Sequence, residues 1–323
     1  MCADSRPAEG AHARGVWARQ VTASRALETV VKRFDRAGID TLAVKGVVTT
    51  HTLYRDTTER PMTDADVRIR PGDFRAAARV ARNETGWRIE EWRPAYGAFV
   101  LRVPGLDITV DVESVIGAPG MCSLSIGEML SRATRGAGGV DVRVPELHDH
   151  ALLMSVNVFK DKLALAAPWA LEDARRIVEA EEFDIDLFVD RARRAKVACV
   201  AWIVADWMVR KEESATWGRI RQKLGAERAP RPLYAWSFRR LQERAPEALA
   251  TRVLARVAAD DPGMWVGALG HAVAMASSRT TRSSALGSDL LTTRFTPASR
   301  ASCSIAGVAS KTARANVTCS VST

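Results

Sequence analysis

The sequence predicts an α+β protein: a mixed sheet with flanking helices, followed by an all-helical part. Three observations predict it. Between Ile39 and Val144, short runs with period-two alternation are interspersed with three- and four-residue helical spacing. From Pro145 to about Ser277 only the helical spacing persists. A composition of 47% apolar and 26% charged residues over 323 positions is that of a folded chain able to bury a core.

The elements follow in order. Trp17 to Ala37 reads as an amphipathic helix on Val21, Leu27, Val30, Val31 and Phe34, and Gly38 ends it. Ile39 to Val44 is a short strand, and Lys45-Gly46 opens a helix over Val47 to Tyr54. Asp64 to Arg70 (DADVRIR) alternates strictly, as a half-buried strand does. Asp73 is placed to cap a helix from Phe74 to about Arg82. Trp87 to Trp92 and Ala98 to Val103 are strands. Pro104-Gly105 suits the centre of a type II turn, which returns the chain as the strand Leu106 to Val112. Helices are expected over Leu147 to Leu165, Trp169 to Ala180, Asp186 to Ala195 and Val197 to Lys211. The organisation expected is a flexible N-terminus (1–14), an α+β domain (15–145), a helical domain (146–276) and a tail (277–323).

Charge and composition shift along the chain. Residues 1–218 carry 31 basic and 32 acidic side chains, so the net +9 comes entirely from the C-terminal third. Such a region is a candidate nucleic-acid surface, or a set of solvated helix faces with an arginine-bearing tail. In 277–323, 19 of 47 residues are Ser or Thr, a composition that buries too little apolar area to offset the entropy of ordering. Val197 to Val209 and Met264 to Ala276, the longest apolar runs, are 13 residues each, short of the roughly 20 a membrane span needs. No secretory signal is visible at the N-terminus, and five scattered cysteines form no C-x-x-C pair, so a reduced, cytoplasmic setting is expected.

The chemistry lies in the strands. Asp64 and Asp66, two apart, project from one strand face, while Ala65, Val67 and Ile69 turn to a core. In the later strand Asp107, Asp111 and Glu113 share a face opposite Ile108, Val110 and Val112. If the two strands are neighbours, Asp64, Asp66 and Asp111 converge, and carboxylates so close require a cation. Hard oxygen donors of this kind suit Mg²⁺ or Mn²⁺, and a pair of ions can clamp both oxygens of an in-line phosphoryl displacement. Lys45 and Gly46, at a strand end and helix start, are placed to hold phosphates, with Arg60 adding a further contact to a triphosphate.

The stretch Leu42 to Arg70 resembles the uncharacterised nucleotidyltransferase family of the DNA polymerase β superfamily. The resemblance rests on Lys45-Gly46, Leu53-Tyr54, Arg60-Pro61-Met62, Asp64-x-Asp66 and a third carboxylate at Asp111. It continues through ELHDHALLMSVNVFKDK and LEDARRIV, covering about residues 15 to 210. It implies a nucleotidyltransferase-like fold, two divalent ions on Asp64, Asp66 and Asp111, and a nucleoside triphosphate donor. Glu113 stands where many members have a His shortly after the third carboxylate. The alternative is a non-catalytic module of the same fold that engages nucleic acid or a partner protein through the basic C-terminal region. His148-Asp149-His150 reads as a surface or capping stretch, because residues two apart do not face each other on a helix. Trp202, Trp207, Trp217, Trp236 and Trp265 read as core, and Arg231 to Arg244 as an amphipathic helix. The acceptor, whether small molecule, RNA or protein, is not written in the chain.

Overall fold

The computed structural model describes residues 6–117, 121–137, 139–160, 163, 166–225 and positions 240, 243, 244, 260, 266 and 270. The tail 277–323, Trp236, Trp265 and most of 231–244 lie outside the described residues.

Helix α1 (Arg6–Asp35) packs one face on the sheet through Ala23, Leu27, Val30, Val31 and Phe34. Its backbone is helical from Arg6, well before Trp17 and inside the stretch expected to be flexible, because Ala, Glu and Arg extend a helix already nucleated by its buried half. It ends in a Schellman arrangement: Ile39 N–H bonds the Phe34 carbonyl and Gly38 N–H the Asp35 carbonyl, both at 3.0 Å, with Gly38 at φ +73°.

Five strands form one sheet: β1 (Thr41–Val44), β2 (Asp64–Ile69), β3 (Arg88–Arg93), β4 (Ala98–Arg102) and β5 (Thr109–Glu113). The spatial order is β1-β2-β5-β4-β3, with β2 parallel to β5 and every other pairing antiparallel. β4 and β5 form the expected hairpin, with Gly105 at φ +75° in its turn and Leu106 N–H on the Val103 carbonyl. Between strands run α2 (Gly46–Leu53) and α3 (Phe74–Asn83). Asp73 does not cap α3: a 3-10 turn over Pro71–Asp73 already holds it in a helical conformation with no side-chain bond to the first turn. Two elements not anticipated follow, α4 (Ile126–Arg132) and a ribbon of β6 (Thr134–Ala137) and β7 (Val140–Val144), whose Val140, Val142 and Val144 join the α1 core.

Helices α5 (Leu147–Lys160), α6 (Pro168–Val178), α7 (Ile185–Arg194), α8 (Ala198–Lys211) and α9 (Ala215–Leu224) follow, with α6, α7 and α8 packed on α5 and α9 packed on α8. Leu42 and Val44 of β1 belong to the same cluster as these helices, so sheet and helices share a core. Trp207 and Trp217 are core, the latter donating its indole N–H to the Ala174 carbonyl at 3.0 Å.

His148, Asp149 and His150 are all buried, which corrects the surface reading. α5 is enclosed on nearly every side, and partners distant in sequence satisfy its polar groups. Asp149 takes Arg132 at 2.8 Å and Arg191 at 3.1 Å. His148 Nδ1 lies 2.6 Å from Glu146, and its Nε2 accepts the Asp184 N–H at 2.9 Å, which places the ring proton on Nδ1. Among the described residues, no helix is long and apolar enough to cross a membrane.

Candidate active site

Period-two alternation sends Ala65, Val67 and Ile69 of β2 into the α1 core and leaves Asp64, Asp66 and Arg68 on the other face. That face is covered by the helices, so Asp66 is only 3% exposed and Arg68 only 2%. The strand is buried on both faces, where half-burial was expected. In the parallel register Asp66 stands directly opposite Asp111, and Arg68 opposite Glu113. Arg68 and Glu113 form an ion pair, so the acidic residue two positions after Asp111 is neutralised locally. Asp107 lies in the turn before β5, fully exposed and away from this face.

Lys45 joins the end of β1 to α2 at φ +54°, ψ −131°, a conformation that costs a non-glycine residue about 1–3 kcal/mol. Its ammonium pairs with Asp66. Burial alone would lower the Lys45 pKa, but Asp66 and Glu113 outweigh it and hold it above the ordinary lysine range. Burial, with Asp64 and Glu113 adding to it, pushes Asp66 up against the pull of Lys45. Burial and the neighbouring Asp66 and Asp64 push Asp111 up to about 7. The strand pair therefore holds more negative charge than the protein compensates.

A cleft of about 210 Å³ opens beside these residues. Lys45, Gly46 and Thr49 line one side, Arg60 to Asp64 with Asp66 a second, and Met154, Asn157, Trp169 and Asp173 of α5 and α6 the third. Asp111 adjoins Asp66 on the sheet without lining the cleft. The three carboxylates thus share a face without meeting at one point. Among the described residues no group of three or more His, Cys, Asp or Glu side chains is gathered as a metal site. Lys45 takes one oxygen of Asp66, and Thr63 donates to Asp64 at 3.2 Å. The donor chemistry still fits a hard divalent cation: carboxylates in register on adjacent strands, with raised pKa values that a cation would reverse.

No side chain caps α2, so its first-turn N–H groups face outward beside Lys45. A Cβ on Gly46 would stand 3.0 Å from Met62 Cγ and 3.1 Å from Arg60 Nη1. Gly46→Ala is therefore expected to cost about 1–3 kcal/mol by overpacking and to displace Arg60, read as a lower melting temperature. Arg60 itself is committed to Asp173 through Nε and Nη2 at 2.7 to 2.9 Å, a partner the sequence reading did not identify.

The sequence profile described as "Uncharacterised nucleotidyltransferase" matches residues 11–209, well over half of the chain. The chain belongs to this nucleotidyltransferase family. A search of curated proteins gives no match. Among solved structures, the chain is similar to ANT(2")-Ia in complex with adenylyl-2"-tobramycin, at 15% identity, TM-score 0.37, 53% of this chain and 98% of that one. It is also similar to the solution structure of the antibiotic-resistance factor ANT(2'')-Ia, at 16% identity and TM-score 0.38, covering 54% and 94%. TM-scores this low do not establish a shared fold, so the assignment rests on the family match.

The cleft includes residues that sequence reasoning missed. Asp173 and Trp169 come from α6 and Asn157 from α5, far along the chain from the strands. Once buried, Arg60 requires a carboxylate partner, but nothing local in the sequence singles out Asp173.

Proposed function

We propose that this nucleotidyltransferase moves a nucleoside monophosphate from an NTP to a hydroxyl-bearing acceptor in the cleft between β2, α2 and α6. The observation that carries the reading is the in-register pair Asp66 and Asp111, set beside an uncapped helix N-terminus with Lys45 and Arg60 at hand.

The attacking acceptor oxygen forms a bond to the α-phosphorus, the bond to the bridging oxygen breaks, and pyrophosphate leaves. Asp66 and Asp111, with Asp64 as the third candidate, would hold divalent Mg²⁺ or Mn²⁺. When bound, such ions supply charge stabilisation to the attacking and leaving oxygens. Asp111, in register with Asp66 on the neighbouring strand, is the candidate to take the acceptor proton. Gly46 lets the α2 N-terminus approach the triphosphate, while Lys45 and Arg60 add positive charge to it. Trp169, 37% exposed on the cleft wall, offers a flat face to a base, and ATP is one donor to test. Catalysis on this account is positioning and charge stabilisation without a covalent enzyme intermediate.

The test is label transfer from each α-labelled NTP, with Mg²⁺ or Mn²⁺, into small-molecule, RNA and protein fractions of a host lysate. Label entering one fraction in a metal-dependent way is expected and identifies the acceptor class. Failure of the protein to bind any NTP in the presence of metal would overturn the reading.

A further inference from the structure

The guanidinium of Arg60 is held on one edge and open on the other. Asp173 accepts from Nε at 2.9 Å and from Nη2 at 2.7 Å, a fork that fixes the plane of the group. The carboxylate is itself fixed, because Tyr54 donates its hydroxyl to Asp173 Oδ1 at 2.7 Å. The Tyr54 ring is covered in turn by the Arg176 guanidinium, 4.1 Å from its centroid. The backbone is held as well, since Gln20 Nε2 donates to the Arg60 carbonyl at 3.0 Å. Arg60 and Asp173 are both buried, yet both border the cleft.

The remaining nitrogen, Nη1, makes one long contact of 3.4 Å with the Pro61 carbonyl. It lies 3.1 Å from the point where a Cβ on Gly46 would stand, against the first residue of α2. The Nε–Nη2 edge of Arg60 is therefore occupied by Asp173, and Nη1 is left beside the helix N-terminus expected to bind phosphate. An ion pair serving only to join β2's approach to α6 would need no such division of its edges.

We infer that Asp173, steadied by Tyr54, is a positioning residue for the triphosphate subsite: it aims Nη1 of Arg60 at the phosphates without touching them. The inference rests on the nucleotidyltransferase reading above. It also assigns α6 a part in substrate binding that is distinct from its packing on α5 and α2.

The experiment measures the affinity of the full chain for inorganic tripolyphosphate with Mg²⁺, a probe that carries the phosphates without a base, and for labelled NTP with Mg²⁺. Asp173→Asn is expected to weaken tripolyphosphate binding about tenfold in protein that is folded by circular dichroism. Arg60→Met is expected to weaken it at least as much. Asp173→Asn added to Arg60→Met is expected to weaken it no further, since Asp173 acts only through Arg60. Tyr54→Phe keeps both charges and removes one hydrogen bond, so it tests the same idea in a chain with its ion pair intact; a threefold loss is expected, about half that free-energy change. A purely structural pair would lower the melting temperature of Asp173→Asn while folded protein bound the probe as the native chain does. Native-like affinity in Asp173→Asn and Tyr54→Phe overturns the positioning role alone. A native chain that binds neither tripolyphosphate nor NTP overturns the nucleotidyltransferase reading itself.

Discussion

Replacing Asp66 and Asp111 together with Asn is expected to lower nucleotidyl transfer by at least about a thousandfold, the scale on which loss of a site's charge-stabilising groups is felt. The two residues are opposite one another on parallel strands, and the protein offers no other pair of carboxylates in that position beside Lys45 and Gly46 among the described residues. Asp64 alone, with a neutral amide pair beyond it, is a poor partner for a divalent ion. The fold should survive the change. Both carboxyls are disfavoured by burial and by each other in the metal-free chain, so neutral amides relieve repulsion even as Lys45 loses its partner. The check is label transfer beside a thermal melt. Transfer within tenfold of the native chain in a folded double variant would remove these residues from the site.

Acid is expected to destabilise the native chain by on the order of 3 kcal/mol between pH 6.5 and 4, through His150. Its ring is 3% exposed and its Nε2 has no hydrogen-bond partner. Burial, and secondarily the charge of Arg60, lowers its pKa from 6.5 to about 4. At about 1.36 kcal/mol per unit, that shift sets the magnitude. The direction follows from proton binding. Above pH 6.5 His150 is neutral in both folded and unfolded chains, and its contribution to stability is fully present. As the pH falls, the unfolded chain takes up the proton first, so stability is lost progressively until the folded chain protonates near pH 4. His150→Leu should flatten this limb. At pH 7 it should cost little or add stability, because it replaces an unsatisfied buried nitrogen with an apolar group of similar size. Melting temperatures of both proteins from pH 4 to 8 decide it; parallel curves would show that another group governs the acid response.

Much of the chain's layout was legible because it is written in local periodicity. DADVRIR and LDITVDV announced their apolar faces, and Ala65, Val67, Val110 and Val112 are indeed in the core. Pro104-Gly105 announced the hairpin through a backbone requirement that needs no tertiary context. Gly46 was marked as a position where the backbone approaches phosphate; the neighbours that require a glycine there are Met62 and Arg60, which were not foreseeable. By contrast, three polar residues in a row on α5 looked like surface, since nothing nearby hints that Arg132, Arg191, Glu146 and Asp184 will satisfy His148 and Asp149. The ribbon β6–β7 was missed because its Gly-rich start carries little alternation before Val140.

The sequence by itself determined which face each residue turns, where the chain must bend, and that acidic side chains two apart would share a strand face. Those properties depend on the periods of helix and strand and on the conformational needs of glycine and proline, all of them local. Tertiary structure alone decided which charges meet. Lys45 faces Asp66, Arg68 faces Glu113, and Arg60 faces Asp173, 113 positions further along the chain. The physical reason is that a buried charge finds its partner through the packing of whole elements, and the free energy of that packing is spread over apolar contacts throughout the core. The same packing buries Asp66, half-buries Asp111 and raises the pKa values of both.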